Sequence, residues 1–216
     1  GFKMKLNVHV TKKNLILTAI VSFLSVSAHF LSGISVFNMV VFIALYFFVR
    51  NLELEVKEKY HWLCTASAVF AGSILTTWLV QYLLLVEDLR DRISDRTFFL
   101  NILCCFVVYL MVQICTNRAG WTIIIAHTLI LIFAGVNYFV YEFRGNELTF
   151  GDFKSLSTGL SVASNYQFSL NAQAMNAILL TIVFLTGAAK LKKVQTKHVI
   201  WMRLVCVSLA MFSIAY

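Results

Sequence analysis

The chain has 216 residues, of which 60% are apolar and 13% charged, with a mean hydropathy of +0.81. That balance excludes a soluble globular domain, because charge-free apolar runs long enough to cross a bilayer recur from end to end. The formal net charge of +8 would suggest nucleic acid in a soluble protein; here the basic residues fall in short connections between apolar runs, where they report topology, and no nucleic-acid partner is expected.

From Asn14 to Val49 no residue carries a formal charge. These 36 residues would make roughly 54 Å of helix, against a hydrocarbon core about 30 Å thick. The run therefore divides, and Ser32-Gly33 is the natural break. It flows into a second span without a small-residue cleavage site, so it is not a signal peptide. Spans are predicted at about 14–31, 34–49, 62–86, 97–116, 119–141, 174–189 and 199–216. The fold class is all-α, a polytopic transmembrane bundle of about seven spans. The boundaries between the first two and between the fourth and fifth decide whether the count is five or seven.

Lysine and arginine set the orientation. The amino-terminal segment and the second, fourth and sixth connections carry 12 of these residues, whereas the alternate connections carry 5. Arg203, inside the last span, completes the 18. The bias places the amino terminus in the cytoplasm, the 142–173 loop outside and the carboxyl terminus outside, in a multi-pass protein of the cell membrane. The chain begins at Gly1 and stops at Tyr216 without a polar flank, which reads as a truncation.

The chemistry inside the spans is sparse. Gln81, Asn101, Gln113, His127 and Asn137 should face neighbouring helices and hydrogen-bond there, since lipid offers them no partner. No acidic residue lies at mid-membrane depth to make His127 a proton relay. The five cysteines, Cys64, Cys104, Cys105, Cys115 and Cys206, sit in apolar runs at no metal-ligand spacing and read as reduced filler. The mixed-charge connections near 50–61 and 87–96 are solvated, self-neutralising surfaces and poor metal sites. No nucleotide-binding, zinc-protease or redox motif is present.

The interval 137–168 stands apart as the only long polar stretch, and most of it falls in the 142–173 loop. Asn137, Tyr138, Tyr141 and Glu142 place an aromatic belt at the end of the preceding span. Arg144-Gly145 follows, with a glycine that permits reversal of the chain at positive φ. Thr149-x-x-Asp152 then resembles a capping box, and Phe153, Leu156, Leu160 and Ala163 recur at intervals of three and four. An external amphipathic helix in the headgroup layer is expected. Arg144 would lie among headgroups, either as a fork for a phosphate or as an interfacial arginine held by Glu142 or Glu147.

The run NYFVYEFRGNELTFGDFKSL, followed by SVASNY, resembles the membrane domain of the lipoteichoic acid synthase family. These are sulfatase-like phosphoglycerol transferases of Gram-positive bacteria. The resemblance covers about 137–168 and places Arg144, Gly145, Leu148, Asp152, Val162, Asn165 and Tyr166 at the family's patterned positions. It implies that Arg144, Gly145, Asp152, Asn165 and Tyr166 serve a phosphatidylglycerol-like lipid headgroup. It also implies an extracellular catalytic domain after residue 216, bearing the threonine nucleophile and a divalent metal, manganese or magnesium. No nucleophile, metal ligand or cofactor is assigned within residues 1–216, and the fragment is not expected to catalyse alone. Seven predicted spans depart from the family's usual five. The alternatives are a phosphoethanolamine-type headgroup transferase, a transporter component, which would call for mid-membrane charges or broken helices, and a seven-span receptor or retinal protein, which the cytoplasmic amino terminus and the lack of a lysine in the last span oppose.

Overall fold

The computed structural model describes residues 5–84, 94–146, 149, 151 and 170–195. Six helices carry the fold: α1 (Lys12–Ser32), α2 (Val36–Asn51), α3 (His61–Leu79), α4 (Asp95–Thr116), α5 (Ala119–Arg144) and α6 (Ala172–Lys190). Five segments are long and apolar enough to cross a membrane, and α2 is a shorter apolar helix of 16 residues. The chain is an all-α, multi-pass membrane bundle. The seventh predicted span, 199–216, lies outside the described residues.

The exterior is what lipid requires. Phe23, Phe30, Leu31 and Phe37 are each more than 70% exposed, and such apolar surface would drive a water-soluble protein to aggregate. The interior is small. Four hydroxyls of α1 turn back onto their own helix: Thr18 donates to the Asn14 carbonyl (2.8 Å), Ser22 to Thr18 (2.8 Å), Ser25 to Val21 (2.8 Å) and Ser27 to Phe23 (3.0 Å). A polar side chain is thereby satisfied without a partner from lipid.

The predicted break at Ser32-Gly33 is where α1 ends. Gly33 closes α1 with φ 68°, and Ser35 opens α2 by accepting from the Asn38 amide (3.2 Å). Thr11, Ser94 and Asn171 cap α1, α4 and α6 in the same way, at 3.2, 3.3 and 2.8 Å. α4 and α5 are separated by Asn117-Arg118, with Asn117 in the left-handed region at φ 56°.

Helix α6 is the wedge of the bundle. Its Leu179 joins Val21, Ala28, Phe42 and Tyr46 of α1 and α2. Its Ala188 joins Val69, Tyr109, Ile123 and Ala126 of α3, α4 and α5. Its Ala174 and Ala177 pack with Leu79, Leu84 and Tyr138. Alanines at these contacts let the backbones approach, which is how helices associate where no hydrophobic effect operates.

Two local features depart from the sequence expectation. Strand β1 (Lys5–Val8) pairs antiparallel with β2 (Leu52–Glu55), Lys5 opposite Glu55 and Val8 opposite Leu52, so a two-stranded ribbon covers the amino-terminal end of the bundle. At the other end α3 does not finish as an α-helix but widens into a π turn over Val80–Leu84. The first is called the ribbon end and the second the loop end below.

Candidate functional site

Helix α5 delivers the predicted arginine to the loop end. It runs three residues past the expected boundary at 141 and stops at Arg144, because Gly145 takes φ 71° and its amide bonds back to the Tyr141 carbonyl at 2.7 Å. That left-handed cap is available to glycine without a Cβ penalty. Arg144, Gly145 and Asn146 are all exposed. Asp152, Asn165 and Tyr166, and the expected amphipathic helix with them, lie outside the described residues. At the far side of the loop Asn171 caps α6, whose first residue, Ala172, lies two residues before the expected start of that span at 174.

At the same end of the bundle lies a polar residue with no partner among the described residues. Gln81, in the π turn, is 4% exposed, and neither its amide nitrogen nor its amide oxygen is hydrogen-bonded among the described residues. The expectation that Gln81 would bond a neighbouring helix is therefore not met. A π turn displaces side chains from the register of the surrounding helix and recurs at functional sites. The residues packed around it include Tyr138 of α5 and Ala174 and Ala177 of α6.

Deeper in the membrane His127 and Gln113 are hydrogen-bonded to neighbouring helices, whereas the Asn101 side chain has no hydrogen bond among the described residues. His127 is fully buried on α5, between Thr76 of α3 at 2.8 Å and Thr181 of α6 at 3.3 Å. Thr76 also meets the Tyr109 hydroxyl of α4 at 2.7 Å. The direction of this chain follows from its end. Thr181 gives its only hydroxyl proton to the Ala177 carbonyl at 2.8 Å, so it must accept from His127 Nε2–H. Neutral His127 then offers Nδ1 as an acceptor to Thr76, which in turn accepts from Tyr109. Four helices are linked by one directed chain, with the Phe184 ring set edge-to-face on the imidazole. His127 thus bonds neighbouring helices, as its place in an apolar span implies. Thr76, Tyr109 and Thr181 were not singled out, since each is an ordinary residue of an apolar run.

A second group joins α4 to α5: Thr122 donates to Gln113 Oε1, and Thr116 and Thr122 share a bond at 2.7 Å. Among the described residues no three His, Cys, Asp or Glu side chains gather into a metal-sized cluster. Cys64, Cys104, Cys105 and Cys115 are free thiols; Cys206 lies outside the described residues. Comparison with protein-family models, with curated proteins and with solved structures gives no match.

Proposed function

We propose that the chain is the membrane domain of a sulfatase-like, metal-dependent phosphoglycerol transferase that acts on phosphatidylglycerol-type lipid in cell-envelope polymer synthesis. Its task is to anchor an external catalytic domain and to guide the lipid headgroup toward it. The observation that carries the reading is the Arg144-Gly145 cap: an exposed arginine in the last turn of a long apolar helix, closed by a glycine in the left-handed region. It stands within the stretch that resembles the lipoteichoic acid synthase family. The Gln81 amide at the same end, unpartnered among the described residues, supports the reading, since a polar group kept out of both water and lipid is suited to a polar ligand. Nucleophile and divalent metal belong, in this proposal, to the catalytic domain. Phosphoethanolamine transfer is the variant that shares every feature but the headgroup.

Arg144→Ala in a parent protein carrying the catalytic domain should lower turnover of the lipid substrate on the order of tenfold, the loss of one charge-assisted contact. Arg144→Lys should recover part, because it keeps the charge but not the fork. A soluble headgroup analogue should be handled as before. Equal loss toward lipid and soluble substrates, or a normal rate for Arg144→Ala, would reduce the cap to a structural connector.

The orientation follows from the lysine and arginine bias: ribbon end in the cytoplasm, loop end outside. Single cysteines at Lys193 and Asn146, in a cysteine-free background, should differ in intact cells, with only the second labelled by an impermeant maleimide. Labelling of position 193 but not 146 would reverse the assignment.

A further inference from the structure

The ribbon end holds a cleft that the transferase reading does not use. It has a volume of about 690 Å³ and is lined by Leu54, Glu55, Val56, Lys57, His61, Lys190, Lys193 and Val194. That volume lies within the range of about 300–1,000 Å³ typical of small-molecule sites. Its walls come from β2 and the segment after it, the start of α3, and the end of α6. The last two are boundaries of membrane-spanning segments, so the cleft opens at headgroup depth.

The walls are held in place. His61 bridges them: Nε2 meets the Val56 carbonyl at 3.1 Å, and Nδ1 meets the Gln195 backbone at 3.2 Å to oxygen and 3.4 Å to nitrogen. Lys190 Nζ donates to the Arg50 carbonyl at 2.8 Å, which fixes its position and leaves two of the ammonium's three protons for other acceptors. Lys57 and Lys193 are exposed. Leaving His61 aside, three lysines against one glutamate give the cleft a net charge of +2. A phosphomonoester carries about −1.5 to −2 at neutral pH and offers three acceptor oxygens. Ammonium groups around a cavity at the membrane boundary are the ordinary means of holding such a headgroup.

We infer that this cleft binds a phosphomonoester dianion, borne by a lipid such as phosphatidic acid or by a small soluble phosphate. The inference is independent of the transferase proposal and concerns the opposite end of the bundle. The test is native mass spectrometry of the detergent-purified chain, titrated with dioctanoyl phosphatidic acid, dioctanoyl phosphatidylcholine and glycerol phosphate. One phosphatidic acid should bind in preference to phosphatidylcholine. Lys57→Ala with Lys193→Ala should weaken it about 30-fold, at about 1 kcal/mol for each lysine near a membrane surface. Lys59→Ala with Lys192→Ala removes the same charge at the same end but outside the cleft. In the native chain these two ammonium groups lie over the Tyr60 and Trp121 rings, at 4.7 and 4.3 Å. That pair should leave binding within about threefold. Glu55→Gln should tighten it. Displacement by millimolar glycerol phosphate assigns the site to a soluble phosphate; retention of the lipid assigns it to a headgroup. Equal loss in the two lysine pairs, or phosphatidylcholine bound as well as phosphatidic acid, would overturn the site.

Discussion

Gly120→Ala should destabilise the bundle by about 3 kcal/mol or more, although alanine is the better helix former by about 1 kcal/mol. A Cβ at position 120 would lie 2.5 Å from the Ala188 carbonyl oxygen, 2.6 Å from the Lys192 amide nitrogen and 2.7 Å from the Leu191 carbonyl carbon. All three are backbone atoms and cannot rotate aside. The start of α5 would have to leave the end of α6, which costs more than the close approach itself. Helix α5 has no side-chain cap. Its first amides are satisfied instead by the chain beyond α6: Ala119 donates to Val194 at 3.1 Å and Gly120 to Leu191 at 3.3 Å. Overpacking costs about 1–3 kcal/mol, and each buried amide left unpaired adds about 1–3 kcal/mol. Thermal unfolding in detergent would measure the loss. Gly187→Ala is the matched control, because its Cβ would meet only a Val49 methyl at 3.5 Å, ordinary contact. If Gly120→Ala unfolded within a degree or two of the parent, the direct packing of α5 on α6 would be wrong.

What the sequence reveals of this fold divides by range. The break at Ser32-Gly33 was legible because 36 uncharged residues cannot cross a bilayer once, and a serine-glycine pair is where a helix can stop. The cap at Gly145 was legible for a similar local reason. The ribbon was not, because Lys5–Val8 and Leu52–Glu55 are four-residue strands brought together only by the α1–α2 hairpin between them. Their alternation of charged and apolar residues is too short to distinguish from a polar loop. The π turn at Val80–Leu84 escaped as well, since its sequence, VQYLL, suits an α-helix. Gln81 was recognised as a polar residue needing a partner, yet the altered register leaves it without one. Gly120 gave no signal at all. Its requirement comes from a backbone 68 residues away in sequence, and only the packed bundle brings Ala188 against it. Of the candidate headgroup site, Arg144 and Gly145 are at the end of α5 as their local sequence implied, whereas Asp152, Asn165 and Tyr166 lie outside the described residues.

Thr76→Val should cost about 3 kcal/mol, and more than the loss of either end of the same hydrogen-bond chain. Valine matches threonine in volume, so packing around position 76 changes little and the effect isolates the hydroxyl. That hydroxyl both accepts from Tyr109 and donates to His127, at 2.7 and 2.8 Å, and all three residues are fully buried. Its removal strands a phenolic proton and an imidazole lone pair, each at about 1–3 kcal/mol. Tyr109→Phe removes only the first donor. Thr76 still donates to His127, and the cost should be nearer 0.6 kcal/mol, the average for one interhelical bond in a membrane. The double variant gives the sharper sign: with Thr76→Val already present, Tyr109→Phe removes an orphaned hydroxyl and should restore stability. Unfolding in mixed detergent, with all four proteins compared as a cycle, supplies the coupling energy. Strict additivity, or a Tyr109→Phe cost equal to that of Thr76→Val, would mean that water or an alternative rotamer satisfies these groups and that no directed chain joins the four helices.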